Sequence, residues 1–237
     1  MPGRADGAVA VVIPAYQAAA TIADIVSRSR RAAAGATVSV VDDGSTDDTA
    51  ERARQAGATV LQHRRNGGKG AALATGIAAA LLGGGADAIV TLDADGQHAP
   101  EDILRVAGPV LEGVADLVLG ARARAGAMPW GRRCTNWLSA TLASRIGGVA
   151  VPDAQSGFRA LSRRAAGAIR PAEQGYGGYD FETAFLLAAL VKGMAVRFVP
   201  ITTVYDGRPS HFRHWSDTWR QARVFTRYGR RIIFGAR

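Results

Sequence analysis

Two aspartates one residue apart close a short apolar run: Asp93-Ala94-Asp95, continuing as Gly96-Gln97-His98. Carboxylates at that spacing, in a turn leaving a strand, can converge on one hard cation. Mg²⁺ or Mn²⁺ takes oxygen ligands and keeps positions open for phosphate oxygens. Asp93 and Asp95, with the Gln97 carbonyl oxygen as a further donor, therefore read as a candidate metal site. A cation held there would neutralise charge gathering on a leaving diphosphate. An ordinary acidic turn capping the next helix uses the same residues, so Asp-x-Asp alone does not separate the two readings.

Two other polar clusters also follow apolar runs. In Val41-Asp42-Asp43-Gly44-Ser45-Thr46-Asp47 an aspartate can accept from the N–H edge of a nucleobase, while Thr46 or Asp47 can cap a helix. Asn66-Gly67-Gly68-Lys69-Gly70 departs from a phosphate loop, because Gly70 replaces the Ser/Thr after Lys and the first spaced glycine is absent. Nor does a Gly-x-Gly-x-x-Gly fingerprint follow the first apolar run. Lys69 is left to contact a base, ribose or phosphate, or to sit in solvent at a helix start.

The elements that must position these groups alternate. Strands are predicted at Val9–Ile13, Thr37–Val41, Ala58–Gln62, Ala88–Leu92 and Asp116–Leu119. Between them helices are predicted at Thr21–Ala34, with Thr21 as N-cap, and at Asp47–Gln55, Gly70–Leu82 and Glu101–Leu111. Alternation of this kind gives an α/β fold, a mostly parallel central sheet with helices on both faces. Ligands in such sheets bind beyond the carboxyl ends of the strands. Pro14-Ala15-Tyr16, Asp42-Asp43, the Lys69 loop and Asp93-Ala94-Asp95 should then share one rim. Beyond residue 122 the pattern weakens to helices at Trp130–Ile146 and Phe181–Val191 and a late strand at Ala195–Val199.

The 237 residues suffice for one core, and 48% hydrophobic content excludes a disordered chain. The net charge of +9 attracts phosphates without choosing among nucleotide, anionic lipid and nucleic acid. The single cysteine, Cys134, excludes an intramolecular disulfide and reads as a small buried side chain. No run reaches the roughly 18–20 apolar residues of a membrane span, and no secretory signal is visible. A cytoplasmic protein, free or peripheral on the membrane face, is the expectation.

In order along the chain, Ile13-Pro14-Ala15-Tyr16-Gln17, Val41 to Asp47, Gly68-Lys69-Gly70-Ala71 and Asp93 to His98 with Pro100-Glu101-Asp102 resemble the family 2 glycosyltransferases of the GT-A fold. Asp153 to Arg159, Phe181-Glu182, Val199-Pro200-Ile201, Tyr205 and Arg208-Pro209-Ser210 are similar to the dolichol- and polyprenyl-phosphate mannose synthases within it. The resemblance spans about residue 9 to about residue 220. It implies a nucleotide-sugar donor (GDP-mannose or a UDP-hexose) and a lipid-phosphate acceptor. Pro14, Ala15, Tyr16, Asp42 and Asp43 would line the nucleoside pocket. Asp93, Asp95 and Gln97 would take the metal and diphosphate, Ala94 and Lys69 would border the donor, Arg122 would contact a phosphate, and Arg208 a donor or acceptor phosphate. Gln17 stands where Asn or Glu is common, at the pocket edge.

An acceptor phosphate is already anionic and needs cations rather than a base, which suits Arg122, Arg132, Arg133 and Arg208. A hydroxyl acceptor, as in polysaccharide synthesis, would require a carboxylate base, for which Glu182 and Asp180 are the candidates. Glu182 can equally be structural. The catalytic domain is expected over residues 1–212. Residues 213–237 form a predicted basic amphipathic helix, with Arg220, Arg223, Arg227, Arg230 and Arg231 on one face. Such a helix suits a membrane surface or a membrane partner protein, or packs its apolar face on the domain. A sugar-nucleotide pyrophosphorylase would carry a Gly-rich, basic loop where Pro14-Ala15-Tyr16 stands. Nucleic acid is excluded as a partner, since acids at the strand ends would repel phosphates without a metal.

Overall fold

The computed structural model describes residues 8–122, 130–169, 175, 176, 178, 180–202 and 223–228, the side chains of 130–138 excepted. Seven strands form one sheet: β1 (Val9–Ala15), β2 (Thr37–Asp42), β3 (Thr59–Gln62), β4 (Ala88–Thr91), β5 (Leu117–Arg122), β6 (Arg159–Ser162) and β7 (Val196–Ile201). Their order is β3-β2-β1-β4-β6-β5-β7. All neighbours run parallel except β6, which is antiparallel to both β4 and β5. The helices are α1 (Ile22–Ala32), α2 (Thr49–Gln55), α3 (Lys69–Leu82), α4 (Ile103–Leu111), α5 (Trp130–Gly147), α6 (Arg163–Ala168) and α7 (Asp180–Val191), and a short 3-10 turn (Pro100–Asp102) precedes α4.

Period-two alternation along the strands builds a core on each face of the sheet. Val11, Ile13, Val40, Val90, Val118 and Ala160 point to the layer of α1 and α4. Val12, Val41, Ile89, Leu119 and Leu161 point to the layer of α3, α5 and α7. The central strands are buried on both faces, which is why they read as continuous Val/Ile runs rather than as alternating ones.

The predicted α/β sheet is the observed one, with three local corrections. Thr21 makes no side-chain cap to α1. Its hydroxyl donates instead to the Ala94 carbonyl at 2.6 Å, across to the loop after β4. Helix α2 starts at Thr49 rather than Asp47, because the Asp47 carboxylate accepts from the Thr49 N–H at 3.1 Å and so lies outside the helix it caps. Strand β6 was not anticipated, because four residues entered from a polar motif carry too little periodicity to announce a strand.

Of the predicted C-terminal helix, residues 223–228 are helical. Val224 and Tyr228 are fully buried in the α3–α5–α7 core, while Arg223 and Arg227 are exposed. The Arg227 guanidinium lies 5.8 Å from the centre of the Tyr176 ring. Arg208, Tyr205 and the rest of the predicted helix lie outside the described residues, as do the side chains of Arg132, Arg133 and Cys134.

Candidate active site

The carboxyl ends of β1, β2 and β4 meet at one rim, and β6, running the other way, brings the segment before it to the same place. On the β1–β2 side, the aspartates organise backbone. Asp42 is fully buried and accepts from the Ser45 N–H at 3.1 Å and the Gln62 side-chain amide at 3.0 Å. Asp43 accepts from the N–H groups of Gly67 at 2.9 Å and Gly68 at 2.7 Å, and meets His63 Nδ1 at 2.7 Å. His63 Nε2 in turn contacts the Thr75 hydroxyl at 2.9 Å. Asp43 thus ties the loop before α3 to the end of β2. Gly44 lies between them with φ +74°, and a Cβ there would come within 2.6 Å of the Arg65 backbone.

Gln17 locks the β1 end to the same loop. Its side-chain oxygen accepts from the Thr46 N–H at 3.0 Å, and its amide donates to the Thr46 hydroxyl at 3.0 Å. Its backbone N–H donates to the Ser45 hydroxyl at 2.9 Å. These bonds hold a non-glycine residue at φ 51°, a conformation that costs on the order of 1 kcal/mol. Pro14 and Ala15 are buried in β1, and Tyr16, 43% exposed, stands at the rim beside them.

The β4 side is built from charge. Lys69, at the start of α3, places its ammonium 2.7 Å from Asp93 and 2.7 Å from Glu182, in the first turn of α7. Burial by itself would lower the lysine; the two carboxylates outweigh it and hold the ammonium well above its ordinary value. Burial would likewise raise Asp93, and Lys69 outweighs it, so the Asp93 carboxyl lies below the usual range. Arg122, at the end of β5, makes a two-pronged pair with buried Asp153, at 2.7 and 3.1 Å. Asp153 is also held below the usual range, its burial outweighed by the Arg122 charge and hydrogen bonds.

Asp95 differs from the other carboxylates. Among the described residues no lysine or arginine forms an ion pair with it, and its recorded bond is from the Gln97 N–H at 2.9 Å. The residue opens to solvent, yet its carboxyl is crowded by protein on the other sides. That crowding, then the Asp93 charge beside it, raises its affinity for a proton. A carboxylate short of positive charge at the mouth of a rim is where a cation would be welcomed. Among the described residues no three His, Cys, Asp or Glu side chains form a ready metal cage. The oxygen donors of Asp93 and Asp95 are of the kind that could hold Mg²⁺ or Mn²⁺ by one or two carboxylates, with substrate phosphate oxygens completing the shell.

His98 Nδ1 is buried without a hydrogen-bond partner, and the ring packs against Phe158, centroids 5.6 Å apart. Burial pushes its imidazole down, toward the neutral form, against the pull of Asp93 and Asp95. Of the residues singled out from sequence, the structure brings together Asp93, Lys69 and Glu182 at one cluster, and Asp42 and Asp43 at another. Sequence reasoning missed the roles of Thr21, Thr91, His63 and Arg159 in holding these clusters. For Arg159 the signals available were its place at the end of the Asp153–Arg159 motif and its opening of an apolar run, Arg159-Ala160-Leu161.

The description "Glycosyl transferase family 2" matches residues 10–170, which hold every cluster above except Glu182. The chain is 30% identical over 224 residues to a UDP-N-acetylglucosamine–dolichyl-phosphate N-acetylglucosaminyltransferase of Methanococcus voltae, covering 85% of this chain and 87% of that one. It is 32% identical over 202 residues to a polyprenol monophosphomannose synthase of Mycolicibacterium smegmatis, covering 81% and 76%. Among solved structures, glucosyl-3-phosphoglycerate synthase from Mycobacterium tuberculosis, in complex with Mn²⁺, UDP-glucose and phosphoglyceric acid, superposes with a TM-score of 0.71 at 26% identity. That match covers 94% of this chain and 80% of that one. With its doubly wound sheet and its acidic rim, the chain belongs to glycosyltransferase family 2 and has the GT-A fold.

Proposed function

We propose that the chain transfers a sugar from a nucleotide-sugar, GDP-mannose or a UDP-hexose, to a polyprenyl-phosphate acceptor, with inversion at the anomeric carbon. The observation that carries this reading is Asp95, a rim carboxylate lacking an ion-pair partner among the described residues, beside the Lys69–Asp93–Glu182 cluster. The relatives whose names specify dolichyl or polyprenol phosphate support the acceptor class. Asp95, flanked by Asp93 and Gln97, would hold Mg²⁺ or Mn²⁺. When bound, the ion supplies positive charge to the departing diphosphate. Tyr16, Pro14 and Ala15 would receive the nucleoside against a loop pre-set by Asp42, Asp43 and Gln17. Arg122 would stabilise phosphate, and Arg208 would assist from outside the described residues. Single displacement by an anionic oxygen needs no general base.

A hydroxyl acceptor is the second reading. It is favoured by one observation, a buried carboxylate, Glu182, standing at the site. Its tight pair with Lys69 argues for a structural anion instead. For the same reason Glu182→Gln is a poor discriminator: it would loosen Lys69 whichever acceptor is used. The experiment is a thermal-shift screen of nucleotide-sugars with and without Mn²⁺, followed by product analysis with polyprenyl phosphate. Stabilisation by a nucleotide-sugar only with Mn²⁺, and a glycolipid product, is the expected result. No stabilisation by any nucleotide-sugar would sink the reading. The basic helix predicted over 213–237 would place the site on the cytoplasmic membrane face, where the acceptor resides. No helix among the described residues is long and apolar enough to cross a membrane.

A further inference from the structure

Arg159 is 3% exposed, and its guanidinium is bound entirely to backbone carbonyls rather than to a carboxylate. Nε donates to the Ser156 carbonyl at 2.8 Å, Nη1 to the Glu182 carbonyl at 2.5 Å and Nη2 to the Ala154 carbonyl at 3.1 Å. An arginine in the interior is costly to desolvate, so one whose three nitrogens all donate implies a position worth holding. Strand alternation explains its direction. Arg159 shares a face with Leu161, the face covered by α7, so its side chain reaches the first turn of that helix.

What it holds is the far wall of the rim. Ala154 and Ser156 belong to the loop whose first residue, Asp153, pairs with Arg122. The next residue, Gly157, abuts Asp93 so closely that a Cβ there would lie 2.5 Å from both carboxylate oxygens. The Gly157 carbonyl accepts from the Thr91 hydroxyl at 2.9 Å in a buried bond. Glu182, held at its backbone by Arg159, holds Lys69 by its side chain, and Lys69 holds Asp93. The connections form a closed ring: Asp93, Lys69, Glu182, Arg159, the 154–157 loop, and Asp93 again.

We propose that Arg159, with Thr91 as its partner on the other side of the loop, is a positioning residue for the transfer. Together they fix Gly157 and Glu182 so that Asp93 stays in register beside Asp95. Both side chains are buried and bonded to backbone carbonyls, so they act through the groups they hold. The consequence is a split: turnover depends on the ring more steeply than nucleotide affinity does, because the loops set by Asp42, Asp43 and Gln17 stand outside the ring. The inference rests on the proposed function, but its test separates the two.

The test compares Arg159→Lys, Thr91→Val and the unaltered protein. Release of nucleoside diphosphate is followed with polyprenyl phosphate and, separately, with hydroxyl acceptors, and binding of UDP and GDP with Mn²⁺ is measured by calorimetry. Lysine keeps the charge but cannot hold three carbonyls in a fork. We expect Arg159→Lys to lower kcat by about 10- to 100-fold, the scale of a misplaced site, with nucleotide affinity and donor KM changed by a clearly smaller factor. Thr91→Val preserves the branched shape and the strand, and should lower kcat by about 3- to 10-fold by the same route. Folded variants that turn over at the unaltered rate overturn the proposal. So does a loss that tracks the folded fraction, or one that falls on KM alone. If Arg159→Lys does not fold, Thr91→Val decides, and an unchanged kcat overturns it. An unaltered protein that works only on hydroxyl acceptors sinks the acceptor reading while leaving the variant comparison intact. One that works on neither class sinks the function and this inference together.

Discussion

The two sides of the rim are held by different physics. On the β1–β2 side, Asp42 and Asp43 accept mainly from neutral N–H groups of their own and neighbouring loops. The β4–β6 side is held by full charges: Lys69 between Asp93 and Glu182, Arg122 on Asp153, Arg159 on three carbonyls. Neutral N–H donors fix a loop around a carboxylate without cancelling its charge. Paired buried charges offset one another and lock their elements together, and breaking one leaves its partner uncompensated. A nucleoside needs a shaped slot; a leaving diphosphate and an anionic acceptor need a tuned field. Under the proposed function, each side would have the kind of support its ligand requires.

The sharpest way to break this comparison is at Asp95. Asp95→Asn should cost roughly two to three orders of magnitude in Mn²⁺-dependent release of nucleoside diphosphate, and undiminished turnover would remove the carboxylate from the charged side's function. Gly157→Ala comes next. The added methyl meets the Asp93 carboxylate, so turnover should fall by about 10²-fold, with a stability cost of about 1–3 kcal/mol in denaturant melts.

Asp153→Asn sharpens the comparison through pH. The folded Asp153 carboxyl lies below its unfolded value, so the pair contributes stability above about pH 4 and loses it as pH falls through the folded value. The gap in Tm between the unaltered protein and the variant should be widest near neutral pH and close in acid. A gap that is constant with pH would show that the ion pair is not its source. Asp43→Asn tests the neutral side. It should cost about 1–3 kcal/mol by leaving one loop N–H without its acceptor, and weaken nucleotide binding with little change in kcat. Smallest is Glu101→Gln, which removes a surface partner of Arg28. An exposed pair of this kind is worth about 0–1 kcal/mol, and turnover should not move.

The same contrast explains what the sequence disclosed. The β1–β2 side is built by local means, short apolar runs followed at once by the residues they position, so its strands and its Asp42–Asp43 turn were readable. Asp93-Ala94-Asp95 was readable for the same reason. The ring was not. Lys69, Glu182 and Arg159 come from α3, α7 and β6, and no local pattern reports that an ammonium meets carboxylates from two other elements. Thr21 looked like a helix cap because Thr before a helical pattern is one of the commonest caps; its hydroxyl found a better acceptor across the fold. Glu182 was left open between base and structural anion, and its 2.7 Å approach to Lys69 could only come from tertiary structure.

The reversed strand β6 also has a kinetic consequence. Its pairing with β4 joins segments far apart in the chain: Thr91 pairs with Arg159, and its hydroxyl bonds Gly157, 66 residues away. Closing so long a loop costs entropy before any contact repays it, and pairings of this range slow folding. The sheet from β1 to β4 can form from short βαβ steps while the wall that β6 delivers is still absent. During synthesis the loops tied by Asp42 and Asp43, and the Lys69 and Asp93 side chains, therefore precede the Asp153, Arg159 and Glu182 that complete the ring and wall.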